Sequence, residues 1–286
     1  SMLANTPHAG SVFANHNALH MASGRVSYCF ALQGPSVVVD SACAASLVTC
    51  HSAACALGNS ECASHLAAGV NLILAQATSI ALQSAGMTST SGRCHTFDIR
   101  ADGYARSEGC GAVLMRPEAN SNSVSLLSGS AVRADGRSAS LTAPNGLAQQ
   151  GLIAAALSAS FITPSELTLN EVHGTGTQLG DPVEMASLAT SLLASRNRPL
   201  AVGGIKANLG HTETAAGVSG LLHTAARFKA STAAPNAQLR RLNVYISMHL
   251  SMLALPTQAS AQAKPTRGGD NNGGVSAFGI NGTIAH

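Results

Sequence analysis

Residues 36–47, SVVVDSACAASL, contain the change of pattern on which the expected fold depends. The β-branched run at residues 36–40 predicts a short strand that is fully buried. Residues 44–57 are small or apolar on every face, so they predict a helix that is buried all round and ends at Gly58-Asn59. Cys43 is therefore expected on the turn between a strand and a helix.

The same alternation continues along the chain. Apolar runs predict interior strands at residues 69–74 and 111–115, and later segments predict helices at 145–160 and 183–195 and strands at 169–173 and 200–203. Buried runs that alternate with helices indicate a layered α/β fold, and the βα pattern occurs twice. Residues 256–274 are polar and rich in Gly and Asn, and we interpret them as a loop.

Composition excludes several classes of protein. The 286 residues are 45% hydrophobic and 10% charged, enough for a large core in one domain or two fused halves. A net charge of +3 does not indicate a nucleic-acid or membrane surface, and no apolar run reaches the roughly 18 residues of a membrane span. The seven cysteines are odd in number and contain no CxxC pair, which favours a reducing, cytoplasmic location over a zinc ribbon or disulfide framework.

Cys43 has two interpretations when it is taken alone. A sulfur near a helix N-terminus is favoured as the thiolate, which is the nucleophilic form. Free cysteine is also one of the residues most often buried and inert. Cys50 and Cys55 lie within the predicted buried helix, so we expect Cys43 to be the single readily acylated cysteine.

Two further segments bear on this choice. EVHGTGT at residues 171–177 and KANLGHTE at residues 206–213 each place a histidine in a Gly-rich segment after a predicted strand. A lone histidine is usually structural or at the surface. GTGTQLG lacks the glycine spacing of a dinucleotide-binding loop.

Four motifs together resemble one family. VDSACAASL, EVHGTGTQLGDPVE, GGIKANLGHTETAAG and VSAFGINGTIAH, with FDIRADGYARSEG and TAPNG between them, are similar to the β-ketoacyl synthase (ketosynthase) domain of type I polyketide synthases and to fatty-acid condensing enzymes. The resemblance covers residues 15–286. It implies a thiolase-like, five-layered αβαβα fold of two similar halves. Residues 1–286 would form part of one such domain, with the N-terminal half ending and the C-terminal half beginning near residue 160.

The resemblance also implies a reaction, the decarboxylative Claisen condensation of an acyl group held on Cys43 with a malonyl-type extender on acyl carrier protein. The backbone N–H groups of Cys43 and Ile280 would form the oxyanion hole, and His173 and His211 would stabilise the enolate. Lys206 would order the site, with Glu184 as its carboxylate partner. Thr175 and Thr177 would hydrogen-bond the phosphopantetheine arm. Phe278 and Ile280 would form the gate of the acyl pocket.

No metal and no directly bound cofactor is expected, because the phosphopantetheine arm of the carrier protein brings the substrate. Expected partners are acyl carrier protein, acyl and malonyl thioesters, a second copy in a homodimer and neighbouring polyketide synthase domains. The sequence departs from the family at Ile280, where an aromatic residue is usual, and at Ile284, where Asn is usual. The family's chain begins upstream of the residues that match Asn15, so we expect the 286 residues alone to be poorly stable or inactive.

Two alternatives stay open at this point. One is a non-catalytic ketosynthase fragment that acts as a scaffold. The other is a different Cys-His enzyme, such as a thiolase or a cysteine hydrolase. A hydrolase needs one histidine and an orienting Asn or Asp, whereas two Gly-flanked histidines and a lysine suit decarboxylative condensation better.

Overall fold

The structure, a computed structural model, describes residues 18–117, 122–194, 196–248, 252–261 and 271–286. Its α-helices are α1 Met21–Cys29, α2 Ala45–Gly58, α3 Gln76–Ser84, α4 Gly146–Ser160, α5 Gly180–Leu192, α6 Lys206–Leu209, α7 Ala216–Ala230 and α8 Val244–Ser247. Its strands are β1 His65–Asn71, β2 Gly109–Met115, β3 Val132–Ala134, β4 Leu167–Glu171, β5 Leu200–Gly203, β6 Thr232–Ala233, β7 Leu253–Ala254, β8 Ser260–Ala261, β9 Asn272–Val275, β10 Ala277–Phe278 and β11 Thr283–Ala285. Short 3₁₀ turns occupy Ala42–Ala44, Pro164–Glu166 and Glu213–Ala215.

A parallel four-stranded sheet in the order β7-β5-β4-β9 forms the centre of the fold. Both faces of this sheet are covered, by α4 and α5 on one side and by α7 on the other, and Leu167, Leu169, Leu200 and Val202 of β4 and β5 are buried there. In a parallel sheet the carboxyl ends of neighbouring strands lie at the same edge. The loops that follow β4 and β5 therefore meet, and these loops carry His173 and His211.

A second, antiparallel sheet is formed by β1 and β2, paired from His65↔Met115 to Asn71↔Gly109. Helices α2 and α7 contact each other and lie against its inner face. Gly69 and Gly111 allow this close approach, because a Cβ on Gly69 would meet Ser46 and one on Gly111 would meet Val218. The described residues thus stack in four layers, β1–β2, α2 with α7, the central sheet, and α4 with α5. The outer face of β1–β2 is exposed along Leu66, Val70 and Leu114.

Three predictions about the N-terminal part are wrong. Residues 36–40 form no strand, and Val37 and Val38 are exposed, because β propensity needs a pairing partner and no described strand offers one. Helix α2 is not buried all round, since Cys55 is exposed, while its covered side faces β1, α7 and the segment from Val275 to Ala285. The interior strands expected at residues 69–74 and 111–115 are instead β1 and β2, and each is covered on one face only.

Most other elements are confirmed with shifted ends. Helix α4 begins after Asn145, whose Oδ1 accepts the N–H groups of Leu147 (3.1 Å) and Ala148 (3.3 Å). Helix α5 starts three residues earlier than expected, and strand β4 ends before Val172, so that His173 lies in the following loop. Strands β8 and β9 occupy part of the loop expected at residues 256–274, and residues 262–270 of that loop lie outside the described residues.

Candidate active site

Cys43 lies in the 3₁₀ turn that leads directly into α2. The residue before it, Ala42, has a φ of +50°, a left-handed conformation that bends the chain sharply at this point. The Sγ atom is 3.0 Å from Nε2 of His211, a residue 168 positions later in the chain. One ring nitrogen each of His173 and His211 lies within 4.8 Å of Sγ and of the other. The structure thus brings together the three residues that the motifs indicated.

The tautomer of His211 follows from its partners. The backbone N–H of Glu213 donates to Nδ1 at 3.0 Å, so Nδ1 is the acceptor and the ring proton resides on Nε2, which faces Cys43. His211 is fully buried. Burial, and then the charge of Lys206, hold the pKa of His211 well below its usual value. His211 is a neutral donor toward the sulfur.

His173 reaches the same state by a different contact. The backbone N–H of Phe278 donates to its Nδ1 at 3.2 Å, which again leaves the proton on Nε2. Burial is the main cause that holds the pKa of His173 well below its usual value, and Lys206 and His211 add to it. The two imidazole rings meet edge to face, with centroids 5.6 Å apart. Two neutral N–H donors therefore converge beside one thiol.

One cysteine and two histidines at this spacing also resemble a metal-ligand set. A histidine that binds a metal through Nε2 needs a lone pair there, and its Nδ1–H usually donates to an acceptor. Here Nδ1 of His173 and of His211 each receives an N–H from the backbone. The hydrogen-bonding pattern favours two donors at this point over a bound cation.

The sulfur of Cys43 experiences opposing influences. Burial, with a smaller contribution from the charge of Glu213, raises the pKa of the Cys43 thiol to about 11. The charge of Lys206 and the backbone N–H groups of Cys43 and Ile280 lower that pKa. Burial outweighs the helix N-terminus, so the expectation of a favoured thiolate is wrong for this geometry. The two N–H groups are those expected to form an oxyanion hole.

Glu184 and Lys206 do not form the direct pair that was expected. The carboxylate of Glu184 accepts the backbone N–H groups of His173 (2.6 Å) and Gly174 (2.8 Å), and so fixes the loop after β4. Burial raises the pKa of Glu184 to about 7, and the charge of Lys206 opposes this. Within the described part of the chain, no hydrogen bond or ion pair joins Lys206 to Glu184. Lys206 is buried and influences the site through space.

The remaining predicted residues line the same region. The hydroxyls of Thr175 and Thr177 are 3.2 Å apart, and Oγ1 of Thr177 accepts the N–H of Gly180 at 3.2 Å. The ring of Phe278 packs on His173 with centroids 5.4 Å apart. Ile280 is 39% exposed, so its side chain lies at the mouth of the site.

Several residues of the site were not recognised from the sequence. Tyr104 packs edge-on against His211 with centroids 5.0 Å apart, and Arg106 forms a two-pronged ion pair with Glu213 at 2.5 and 3.0 Å. Asp181 accepts the N–H groups of Phe97 (2.8 Å) and Gly176 (3.0 Å). All lie in motifs already quoted, but their spacing gave no chemical reason to single them out.

Comparison with known proteins agrees with this geometry. The family models "Beta-ketoacyl synthase, N-terminal domain" and "Beta-ketoacyl synthase, C-terminal domain" match residues 2–121 and 124–240. The chain belongs to the β-ketoacyl synthase family. This ketosynthase chain is 38% identical over 289 aligned positions, 98% of its length, to one phenolphthiocerol/phthiocerol polyketide synthase protein of Mycobacterium tuberculosis strain CDC 1551 / Oshkosh. It is 40% identical over 277 positions, 94% of its length, to a second phenolphthiocerol/phthiocerol polyketide synthase protein of the same strain. It covers 15% of each of these relatives.

Solved structures give the same answer for the fold. The ketosynthase from module 6 of the bacillaene synthase of Bacillus subtilis 168 superposes with a TM-score of 0.90 at 31% identity, over 95% of this chain and 50% of that one. An oxazolomycin ketosynthase domain from Streptomyces albus JA3453 superposes with a TM-score of 0.89 at 31% identity, over 94% of this chain and 48% of that one. The predicted thiolase-like fold is confirmed. Among the described residues of the ketosynthase chain, none of the helices has the length and apolar character to cross a membrane.

Proposed function

We propose that this ketosynthase chain forms carbon–carbon bonds by decarboxylative Claisen condensation in polyketide or fatty-acid synthesis. One observation carries the proposal: a ring nitrogen of His173 and one of His211 lie within 4.8 Å of the sulfur of Cys43, and the backbone donors to both Nδ1 atoms leave each ring proton on Nε2. A pair of fixed donors next to a nucleophile is what enolate formation and acyl transfer both require.

Acyl loading comes first. The sulfur of Cys43 attacks the carbonyl carbon of the incoming thioester, the bond to the phosphopantetheine sulfur breaks, and the thiol proton ends on the released arm. The backbone N–H groups of Cys43 and Ile280 lower the pKa of the thiol, as donors beside the sulfur do, and in this proposal they stabilise the charge that the carbonyl oxygen acquires. The Nε2–H of His211 stabilises negative charge on the sulfur.

Condensation follows in the same site. The carbonyl oxygen of the extender accepts the N–H groups of His173 and His211. When the bond to the carboxylate breaks, carbon dioxide leaves and the electron pair remains on the extender as an enolate. The enolate carbon attacks the acyl carbonyl on Cys43, and the Cys43 thiolate departs and regains a proton. Lys206 adds positive charge beside this enolate without a proton transfer of its own.

The proposal includes partners and location. Thr175 and Thr177 hydrogen-bond the phosphopantetheine arm of acyl carrier protein, which delivers acyl and malonyl thioesters. The chain works as a homodimer beside other polyketide synthase domains, inside the cell, and its two halves meet near residue 160. Phe278 and Ile280 gate the acyl pocket, and the isoleucine leaves it wider than an aromatic side chain would.

The alternatives fit the geometry less well. A cysteine hydrolase needs an imidazole whose Nε2 lone pair faces the sulfur while Nδ1–H donates to Asn or Asp. In this site the Nδ1 of His211 accepts an N–H instead, which reverses that polarity. A scaffold without catalysis gives no reason for the close assembly of Cys43, His173 and His211.

The test is to supply an acyl carrier thioester and a malonyl carrier thioester and to follow the β-ketoacyl product by mass spectrometry. Cys43→Ala should form no product and no acyl adduct. Cys55→Ala removes an exposed cysteine from the same region and should behave as wild type. Product formation by Cys43→Ala at the rate of Cys55→Ala would contradict the proposal.

A further inference from the structure

Glu171, the last residue of β4, carries a carboxylate in the interior that the proposed chemistry does not use. The residue is 1% exposed, and a carboxylate at such a position requires hydrogen-bonding partners. Oε1 accepts the backbone N–H of Ile205 at 2.6 Å. Oε2 contacts Nδ1 of His223 at 3.0 Å and Nη1 of Arg227 at 3.4 Å.

These contacts link the segments that bear the site residues. Glu171 lies two positions before His173, and its Oε1 holds the N–H of Ile205, the residue directly before Lys206. Its backbone carbonyl accepts the N–H of Ser276 at 2.9 Å, two positions before Phe278. One residue is therefore tied to the loop after β4, to the loop after β5 and to the segment that orients His173.

Helix α7 holds the carboxylate in place. His223 and Arg227 are one turn apart on this helix, and both point to Oε2. Arg227 is buried, and its Nε and Nη2 atoms have no hydrogen-bond partner within the described residues. Burial lowers the pKa of Arg227 while the charge of Glu171 raises it. The buried cation and carboxylate therefore depend on each other, and Oε1 remains directed at Ile205.

We propose that Glu171 is a positioning residue that fixes the separation between His173 and the Lys206–His211 segment through its hydrogen bond to the Ile205 N–H. The inference rests on the proposed function, since it concerns donors that must meet at one carbonyl oxygen. Glu171 does not contact the reacting atoms. Its loss should reduce the rate of decarboxylation, which needs both histidines, more than the rate of acyl loading, for which the proposed oxyanion donors are the N–H groups of Cys43 and Ile280.

The sharpest variant removes the donor without a substitution at Glu171. Ile205 has a φ of −59°, which proline adopts without backbone strain, so Ile205→Pro replaces the N–H with a ring carbon and displaces Oε1 of Glu171 from its position 2.6 Å from the nitrogen. Ile205→Val is the matched control, because it trims the side chain and keeps the N–H. Glu171→Gln is the conservative variant, since an amide oxygen can still accept this N–H.

The experiment measures carbon dioxide release from a malonyl carrier thioester and acylation of Cys43 separately, with a melting curve for each variant. Ile205→Pro should lower kcat for carbon dioxide release by about 100-fold, the scale of a 1 Å misplacement, with KM and Cys43 acylation close to those of Ile205→Val. Glu171→Gln should retain more activity than Ile205→Pro.

Three outcomes would overturn the inference. Equal carbon dioxide release by Ile205→Pro and Ile205→Val in an active wild-type background would overturn it alone. An equal loss of acylation and of carbon dioxide release in Ile205→Pro would do the same, because that pattern reports general damage. A wild-type protein that is acylated on Cys43 and yet releases no carbon dioxide would overturn the proposed function, and this inference with it.

Discussion

The two histidine loops present the same chemical group to Cys43 but are fixed in different ways. His173 obtains its Nδ1 partner from Phe278, 105 residues away, so its tautomer depends on tertiary packing. His211 obtains its partner from Glu213, two residues along the same loop. Glu213 has a φ of +46°, a strained backbone conformation for a residue other than glycine. Arg106 forms an ion pair with the carboxylate of Glu213. One donor is set by the fold and the other by a locally strained turn.

The largest expected effect comes from removing each histidine in turn. His173→Ala and His211→Ala should each lower carbon dioxide release by at least about 10³-fold, because the developing enolate loses one of two fixed donors. Cys43 should still be acylated in both variants, more slowly in His211→Ala, since His211 is 3.0 Å from the sulfur. Carbon dioxide release and acyl loading are measured in separate assays. Equal loss of both activities in both variants would show that the loops do not differ in role.

The strained turn can be tested through its ion pair. Arg106→Met should lower carbon dioxide release about tenfold to 100-fold, because Glu213 is freed and its N–H no longer fixes Nδ1 of His211. Nitrogen NMR shifts of the His211 ring should show a mixture of tautomers, which general destabilisation would not produce. Arg93→Met is the matched control, since Arg93 is exposed and its side-chain hydrogen bond within the described residues goes to the carbonyl of its neighbour Gly92. A single unchanged tautomer in Arg106→Met would contradict the assigned role.

The pKa values predict different pH dependence for the two half-reactions. Burial raises the pKa of Cys43 to about 11, so the thiolate fraction, and with it acyl loading, should rise about tenfold per pH unit from pH 7 to 9. Carbon dioxide release by protein already acylated should change far less, because both histidines stay neutral above their lowered pKa values.

Glu184 should cause a small change in the pH profile of carbon dioxide release, because burial raises the pKa of its carboxyl group to about 7. Its ionised form accepts the N–H groups of the His173 loop better, so carbon dioxide release should rise modestly through pH 7. Glu184→Gln should remove this rise. Rapid-quench kinetics on the two half-reactions give both profiles, and a loading rate that is flat above pH 7 would refute the raised thiol pKa.

The smallest effect is expected at the loop that carries His173. Phe278→Leu keeps the backbone N–H that fixes Nδ1 of His173 and removes only the ring contact at 5.4 Å, so carbon dioxide release should change by less than about threefold. Steady-state assays at saturating malonyl carrier thioester measure it. A loss as large as that of Arg106→Met would mean that the aromatic ring, and not the backbone, orients His173.

The sequence predicted what is local and missed what is tertiary. Cys43, His173 and His211 lie in short Gly-rich or turn-forming motifs, and these motifs reveal them, although the partner that fixes the His173 tautomer is distant in the chain. Glu171 and Arg106 act through partners 34 to 107 residues away, and no spacing in the chain records such contacts. The expected strand at residues 36–40 failed for the same reason, because a strand exists only with a neighbour to pair with.

The outer face of β1–β2 has a practical consequence for work with this chain. Leu66, Val70 and Leu114 form an exposed apolar strip on a regular sheet, a kind of surface that attracts other apolar surfaces in solution. Preparations of these 286 residues should bind hydrophobic dyes and retard on hydrophobic resins. Leu66 and Leu114 are direct neighbours across the strands, so one charged replacement at either position interrupts the strip at its widest point.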